Sequence, residues 1–264
     1  MENEALLALA LELADLADTI TMRRFRAADL VVDTKPDLTP VSEADRAVEE
    51  AIRAHLARHA RDHIVLGEEF GEHAPDDAVG DDAALRWVVD PIDGTKNYVR
   101  GVPVWATLIG LERAGDVVVG VCSAPALGAR WWGARGLGAF RDRERIHVSQ
   151  VSDLADAQLS FAWDTAERFA TDAIGDRLLG LSHRCWRTRG FGDFWQHMLV
   201  ADGSIDIGID PIVAYWDAAA LLPIVEEAGG RWSTIGGATD ARTTDSLVCT
   251  NGALHDAVIG ALAP

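Results

Sequence analysis

Apolar residues recur along this chain with two periods. Between residues 4 and 26, Leu6, Leu7, Ala10, Leu11, Leu13, Ala14 and Ala17 fall on one face of a helical repeat, which predicts a packed helix. Residues 33–40 hold two prolines and read as a loop. A second helix of about 15 residues follows, with Ser42 as N-cap and Asp45 three positions on. Beyond it the apolar runs are shorter and richer in Val, Ile and Trp. They predict strands at 64–66 and 87–89, paired strands at 104–111 and 117–124 around a turn at 112–116, and a hairpin from 130–134 and 136–140. Residues 72–84, rich in Asp, Ala and Gly, read as an exposed loop. In the second half, strands at 158–162, 186–191, 205–210 and 246–250 alternate with helices at 167–181, 192–200, 216–230 and 254–262. No repeat, low-complexity tract or linker interrupts this mixture, so the chain is of the α/β (α+β) class, with layered sheets and helices.

One stretch carries chemistry. The apolar run Trp87-Val88-Val89 leads into Asp90-Pro91-Ile92-Asp93-Gly94-Thr95. Pro91 cannot donate to a sheet ladder and is expected to end the strand. Two carboxylates then share one turn at the strand's end. Gly94 and Thr95 start a helix whose first amides are free for an anion. Carboxylates for a hard cation beside amides for a phosphate make a phosphoryl-transfer site. Asp-Gly alone is an ordinary turn. The D-x-D-G-T signature of haloacid-dehalogenase-type phosphatases also competes, although the acids here stand one residue further apart. Glu68 and Glu69 follow a strand, where paired acids are usually solvated. Asp217 opens a helix, where an acid is usually a cap. The glycines of Gly136-Leu137-Gly138 read as hairpin glycines, because no helix follows them directly.

Three segments in order carry a family resemblance. Gly67-Glu68-Glu69-Phe70-Gly71, the stretch 87–98, and Trp216-Asp217-Ala218-Ala219-Ala220 running to Gly229-Gly230 resemble the motifs of the inositol monophosphatase family over almost the full chain. That resemblance implies a five-layer α-β-α-β-α sandwich of the inositol monophosphatase/fructose-1,6-bisphosphatase type. It would form one domain over 1–264, with a metal-bearing half at about 1–145 and a substrate-selecting half at about 146–264. It also implies a lithium-sensitive phosphomonoesterase using two or three Mg²⁺ ions, and a homodimer. Carried over residue by residue, Glu68, Asp90 and the Ile92 carbonyl hold one ion. Asp90, Asp93 and Asp217 hold a second, and Asp45 takes an outer or third-metal place near a Lys35 loop. Glu68 and Thr95 place the attacking water, with Glu69 in support, while the Gly94 and Thr95 amides bind phosphate. No covalent intermediate is required, and an all-oxygen donor set suits Mg²⁺ over zinc.

Substrate choice falls to the second half. After Arg189, where the family has Gly and then a small or hydroxyl residue, this chain has Gly190-Phe191-Gly192-Asp193-Phe194, and Asp210 falls where the family meets the organic part of its substrate. Two added acids suit a phosphorylated amino alcohol better than a polyol. The segment, with 99–105 and 130–132, resembles the histidinol-phosphate phosphatase branch of that family. The plain alternative is that Asp193 caps its own helix. An inositol or sugar monophosphatase with the same metal site is the second reading, and a non-catalytic binding protein on this fold the third.

Bulk properties narrow the partners. The formal net charge over 264 residues is −18, which argues against nucleic acid or an anionic membrane as partner. It also repels a phosphate substrate unless cations reverse the local field. The apolar content is 48%, yet no segment approaches the ~20 uninterrupted apolar residues of a membrane helix. Met1-Glu2-Asn3-Glu4 has no basic leader character. Cys122, Cys185 and Cys249 match neither a zinc spacing nor a disulfide framework, and are expected to be buried in a reducing, cytoplasmic setting. Most of the eight histidines are expected at the surface.

Overall fold

The structure is a computed structural model describing residues 2–74, 84–162 and 174–263. Helix α1 (Glu2–Arg24) buries Leu7, Ala10, Leu13, Ala14 and Ala17, the predicted stripe. Helix α2 (Glu43–His59) is capped by Ser42, whose hydroxyl accepts from the Ala44 amide, while Asp45 accepts from the Ser42 amide in return. Residues 33–40 are more ordered than a loop. Strands β1 (Val32–Thr34) and β2 (Pro40–Ser42) pair antiparallel, because a tight turn closes between Lys35 and Thr39.

A sheet of eight strands follows: β3 (Ile64–Gly67), β4 (Gly71–His73), β5 (Leu85–Asp93), β6 (Ala106–Arg113), β7 (Asp116–Ala124), β8 (Ala129–Ala134), β9 (Gly138–Arg141) and β10 (Glu144–Arg145), in the order β10-β9-β8-β7-β6-β5-β3-β4. Strand β4 takes the start of the segment expected to be a loop, and the rest of that expectation, 75–83, lies outside the described residues. Strand β5 does not end at Pro91. It reaches Asp93 across a register break against β6 between Asp90 and Asp93. The proline's missing donor falls within that break, and its carbonyl is taken by Thr107 Oγ1 at 2.8 Å. Helix α3 (Thr95–Val99) then starts after Gly94 in the left-handed region at φ 82°.

The second sheet contains β11 (Gln158–Phe161), β12 (Arg187–Arg189), β13 (Ile207–Asp210), β14 (Arg231–Ser233) and β15 (Leu247–Thr250), in the order β12-β11-β13-β15-β14. Its helices are α4 (Ile174–Ser182), α5 (Asp193–Ala201), α6 (Tyr215–Ala219), α7 (Leu221–Glu227) and α8 (His255–Leu262). The first part of the helix expected at 167–181 lies outside the described residues. The single helix expected at 216–230 is two, because Pro223 has no N–H to return to the Ala219 carbonyl one turn back.

Packing orders these elements into five layers. Helices α1 and α2 bury their apolar stripes against one face of the large sheet, with Trp87, Val89, Ile109 and Val121. The other face shares a core with α5, α6 and α7, which is continued by Leu247 and Cys249 of the small sheet. Helices α4 and α8 cover the far face of that small sheet through Leu178, Leu181, Val258 and Leu262. Helix–sheet–helix–sheet–helix is the expected α-β-α-β-α sandwich. Cys122 and Cys249 are buried as anticipated, whereas Cys185 is only partly so. His197 and His255 are the buried exceptions among the histidines, most of which were expected at the surface, and each fills a polar gap in the core with hydrogen-bond partners.

Candidate active site

The site is built where β5 breaks register. Asp90 is 2% exposed, and its Oδ1 accepts from the Ile92 amide at 2.9 Å, which turns the chain within the bulge. Asp93 Oδ2 accepts from the Phe194 amide at 2.7 Å, tying the end of β5 to the start of α5. Asp217 lies in the first turn of α6 and accepts from the Ala214 amide at 2.7 Å. It is therefore a helix cap as well as a site acid. One carboxylate oxygen from each of Asp90, Asp93 and Asp217 lies within 4.8 Å of the others. Neighbouring acids crowd the same place. Burial pushes the Asp90 and Asp93 carboxyls well above the usual range, Asp90 further by Glu68 and Asp93 further by Asp193. Asp217 is raised to about 7 by burial and by Glu68, Asp210 and Asp193, against the Ala214 amide that lowers it. A group of oxygen donors that repel one another, with Asp90 buried and Asp93 and Asp217 half-buried, is a receptor for hard cations.

Further predicted residues lie beside this group. Lys35 Nζ bonds Glu68 at 2.8 Å and Glu69 at 2.6 Å, and these pairs outweigh burial to raise its pKa. Asp45 is fully buried, and burial raises its carboxyl against the Ser42 bonds. Its Oδ1 lies 3.3 Å from Thr95 Oγ1, which is also 2.9 Å from the Ile92 carbonyl. Within α3 the Asn97 and Tyr98 amides return to the Gly94 carbonyl, so the first-turn amides before them have no helical acceptor. A cavity of about 530 Å³ opens here, lined by Glu68, Gly94, Thr95, Asp193, Asp210 and Asp217, with Asp37 and Thr39 at its rim. Arg189 is not among its described lining residues; it is exposed on β12 and donates to the Thr188 carbonyl.

The two added acids face the same cavity. Gly192, not Asp193, is the N-cap of α5, and Asp193 is its first helical residue, at φ 49°. That is an uncommon backbone state for a residue with a side chain. Asn97 Nδ2 donates to Asp193 Oδ2 at 3.0 Å and to the Val104 carbonyl at 2.9 Å. Asp210, at the end of β13, accepts on Oδ2 from Gln196 Nε2 at 2.7 Å and from His197 Nε2 at 2.9 Å. Burial lowers the His197 imidazole, but Cys249 and Asp210 raise it by more, to about 10.

Four residues of this site escaped the sequence reading: Glu49, Asn97, Gln196 and His197. Glu49 is fully buried and accepts from the Glu69 amide at 2.8 Å, the Phe70 amide at 3.2 Å and Arg53 Nε at 2.9 Å. It therefore braces the turn that presents Glu68. A signal for it existed: Asp45, Val48, Glu49, Ile52 and Leu56 form one helical stripe, so two acids sit on a buried face. Gly67 is required beside it, since a Cβ there would lie 2.0 Å from Glu49 Oε1. Gly67→Ala is expected to cost about 2 kcal/mol or more, from overpacking against a carboxylate held by three donors. A thermal melt at the wild-type temperature would contradict that fit.

Fold and site together define a phosphomonoesterase of the layered α-β-α-β-α type, with an all-oxygen acid cluster at its cavity. The chain belongs to the inositol monophosphatase family, whose model matches residues 2–263. A histidinol-phosphatase of Streptomyces coelicolor is 50% identical over 265 aligned residues, covering 97% of this chain and 96% of that protein. A histidinol-phosphatase of Mycobacterium tuberculosis is 49% identical over 258, covering 96% of each. Among solved structures, the extragenic suppressor protein suhB from Bartonella henselae matches with a TM-score of 0.88 at 28% identity, over 98% of both chains. Family membership removes the haloacid-dehalogenase reading.

Proposed function

We propose that this chain hydrolyses L-histidinol phosphate to L-histidinol and phosphate, with Mg²⁺ as cofactor. The observation that carries the substrate is the pair Asp193 and Asp210 on the cavity that also holds the metal-type acids. Near-full-length identity to two histidinol-phosphatases agrees with it. The residues present fit the cation: buried and half-buried, mutually repelling carboxylates with only oxygen donors. Glu68, Asp90 and the Ile92 carbonyl would hold one ion, Asp90, Asp93 and Asp217 a second, and Asp45 an outer or third place. When bound, Mg²⁺ supplies the charge that neutralises the phosphate oxygens and lowers the pKa of a water.

The protein's own groups do the rest. Thr95 Oγ1 directs its proton to the Ile92 carbonyl or Asp45, which leaves its lone pairs to accept from the attacking water. Glu68 accepts the second proton of that water. Lys35, bonded to Glu68 and Glu69, fixes the glutamate that does so. The Gly94 and Thr95 amides hold phosphate oxygens, and glycine at 94 allows the left-handed turn that starts α3, where a Cβ would stand 3.1 Å from the Val104 carbonyl. The leaving alcohol projects toward Asp193 and Asp210, which meet its ammonium and imidazole. A homodimer is the expected assembly, checked by sedimentation.

Phosphate release from histidinol phosphate, inositol 1-phosphate and fructose 1,6-bisphosphate under Mg²⁺ tests the assignment. Histidinol phosphate should have the highest kcat/KM. A preference for inositol 1-phosphate would replace the substrate while keeping the site, and a panel with no turnover would favour a binding role. Asp193→Asn and Asp210→Asn should each lower kcat/KM for histidinol phosphate by about 10- to 150-fold, the value of one charge-assisted hydrogen bond in a closed site. Inositol 1-phosphate, which makes no ionic contact there, should change little. Equal losses on both substrates would show that these acids do not read the amino alcohol.

A further inference from the structure

Asp210 does not enter the cavity unsupported. Both Gln196 Nε2 and His197 Nε2 donate to the same oxygen, Oδ2. Gln196 is fully buried and His197 is 1% exposed. Burying an amide and an imidazole in a core is costly unless each is hydrogen-bonded. Here both spend a donor on one carboxylate oxygen. No donor among the described residues is recorded on Asp210 Oδ1, so that oxygen remains for the cavity.

The orientation of Gln196 is set from behind. The Phe191 amide donates to Ser160 Oγ at 3.1 Å, and Ser160 Oγ gives its own proton to Gln196 Oε1 at 2.7 Å. With Oε1 committed as acceptor, the Gln196 amide must turn its N–H groups to the Ile209 carbonyl, at 3.1 Å, and to Asp210. Gly208 on β13 lets α5 approach, since a Cβ there would stand 3.3 Å from both His197 Nδ1 and the Gln196 carbonyl. Asp193 opens α5, one turn before Gln196 and His197. One helix thus supplies the first substrate acid and fixes the second. A smaller chamber of about 60 Å³ lies between them, with Asp193, Asp210 and His197 among its walls.

We propose that Gln196 and His197 form a clamp that holds Asp210 toward the leaving alcohol, making His197 a specificity-determining positioning residue of the enzyme. This rests on the histidinol-phosphate reading above. The clamp acts on the leaving alcohol through Asp210, and among the described residues the hydrogen bonds donated by Gln196 Nε2 and His197 Nε2 go to Asp210 and the Ile209 carbonyl, not to the metal acids or the phosphate amides. His197→Phe removes one donor and keeps an aromatic ring in the core. His197→Gln restores an N–H at the position of Nε2.

Steady-state kinetics on histidinol phosphate and inositol 1-phosphate test it. For His197→Phe, KM for histidinol phosphate should rise about 10-fold, the loss of one hydrogen bond to a charged group, with kcat within about threefold. KM for inositol 1-phosphate should stay within about threefold. His197→Gln should recover most of the lost affinity. If His197→Phe does not fold, Gln196→Leu removes the other donor and should give the same split. Parallel losses on both substrates, or no change on either, would overturn the clamp. Wild-type protein without activity on histidinol phosphate would instead overturn the underlying substrate assignment.

Discussion

Asp90→Asn is expected to lower turnover under Mg²⁺ by three or more orders of magnitude, about 4 kcal/mol or more of lost transition-state stabilisation. Asp90 is the acid assigned to both ions, so one substitution removes a charge from each. The fold should survive. An asparagine carbonyl can still accept from the Ile92 amide, the bond that Asp90 Oδ1 makes at 2.9 Å. Stability without metal should even increase. Asp90 is buried among Glu68, Asp93 and Asp217, and all of them push its carboxyl upward. Replacing it with a neutral isostere relieves that repulsion, and melts in EDTA should shift up by a few degrees, roughly 1 kcal/mol. Near-normal turnover of purified Asp90→Asn under Mg²⁺ would sink the metal assignment. A lower melt in EDTA would count against the crowding of charge.

Removing the metal from the wild-type protein is expected to abolish activity, with Mg²⁺ restoring it and lithium inhibiting at roughly millimolar levels by occupying an oxygen-lined cation position. The metal-free protein should also report the site through pH. Asp217 titrates near 7 in the fold against an ordinary 3.8, and Asp90 and Asp93 are raised as well. Between those values the folded state binds more protons than the unfolded state, so the free energy of unfolding falls as pH rises. In EDTA, Tm should therefore drop from pH 5 to pH 8. Saturating Mg²⁺ should flatten or reverse that fall, because it binds the deprotonated acids of the native state. His55, His63 and His255, lowered by burial, act in the opposite direction, so the fall is read as the difference between the wild-type protein and Asp217→Asn, and no difference would mean that these carboxylates are not under strain. Full activity in EDTA would remove the cation from the chemistry.

Local signals in the chain already determined much of this protein. The stripe on α1, the Ser42–Asp45 cap of α2, the hairpins of the large sheet and the Asp90–Asp93 turn before Gly94 all depend on residues within a few positions of one another. Such spacings are readable because helix and strand periods translate directly into faces. Family motifs added Glu68 and Asp217, which no local period connects to Asp90. Tertiary structure decided the remainder. Pro91 could remain within β5 because its missing N–H falls in the register break against the neighbouring strand β6. Gly67 is forced by Glu49, a residue on another element. The break between α6 and α7 had a local cause in Pro223 that helical periodicity alone concealed. His197 lies on the stripe with Phe194, Met198 and Ala201, so its burial was legible, but its role was not. Periodicity reports which face of a helix is buried; it does not report which strand that face meets. Only the approach of α5 to β13 beside Gly208 brings the imidazole to Asp210 and turns a polar residue on an apolar stripe into a support for the substrate site.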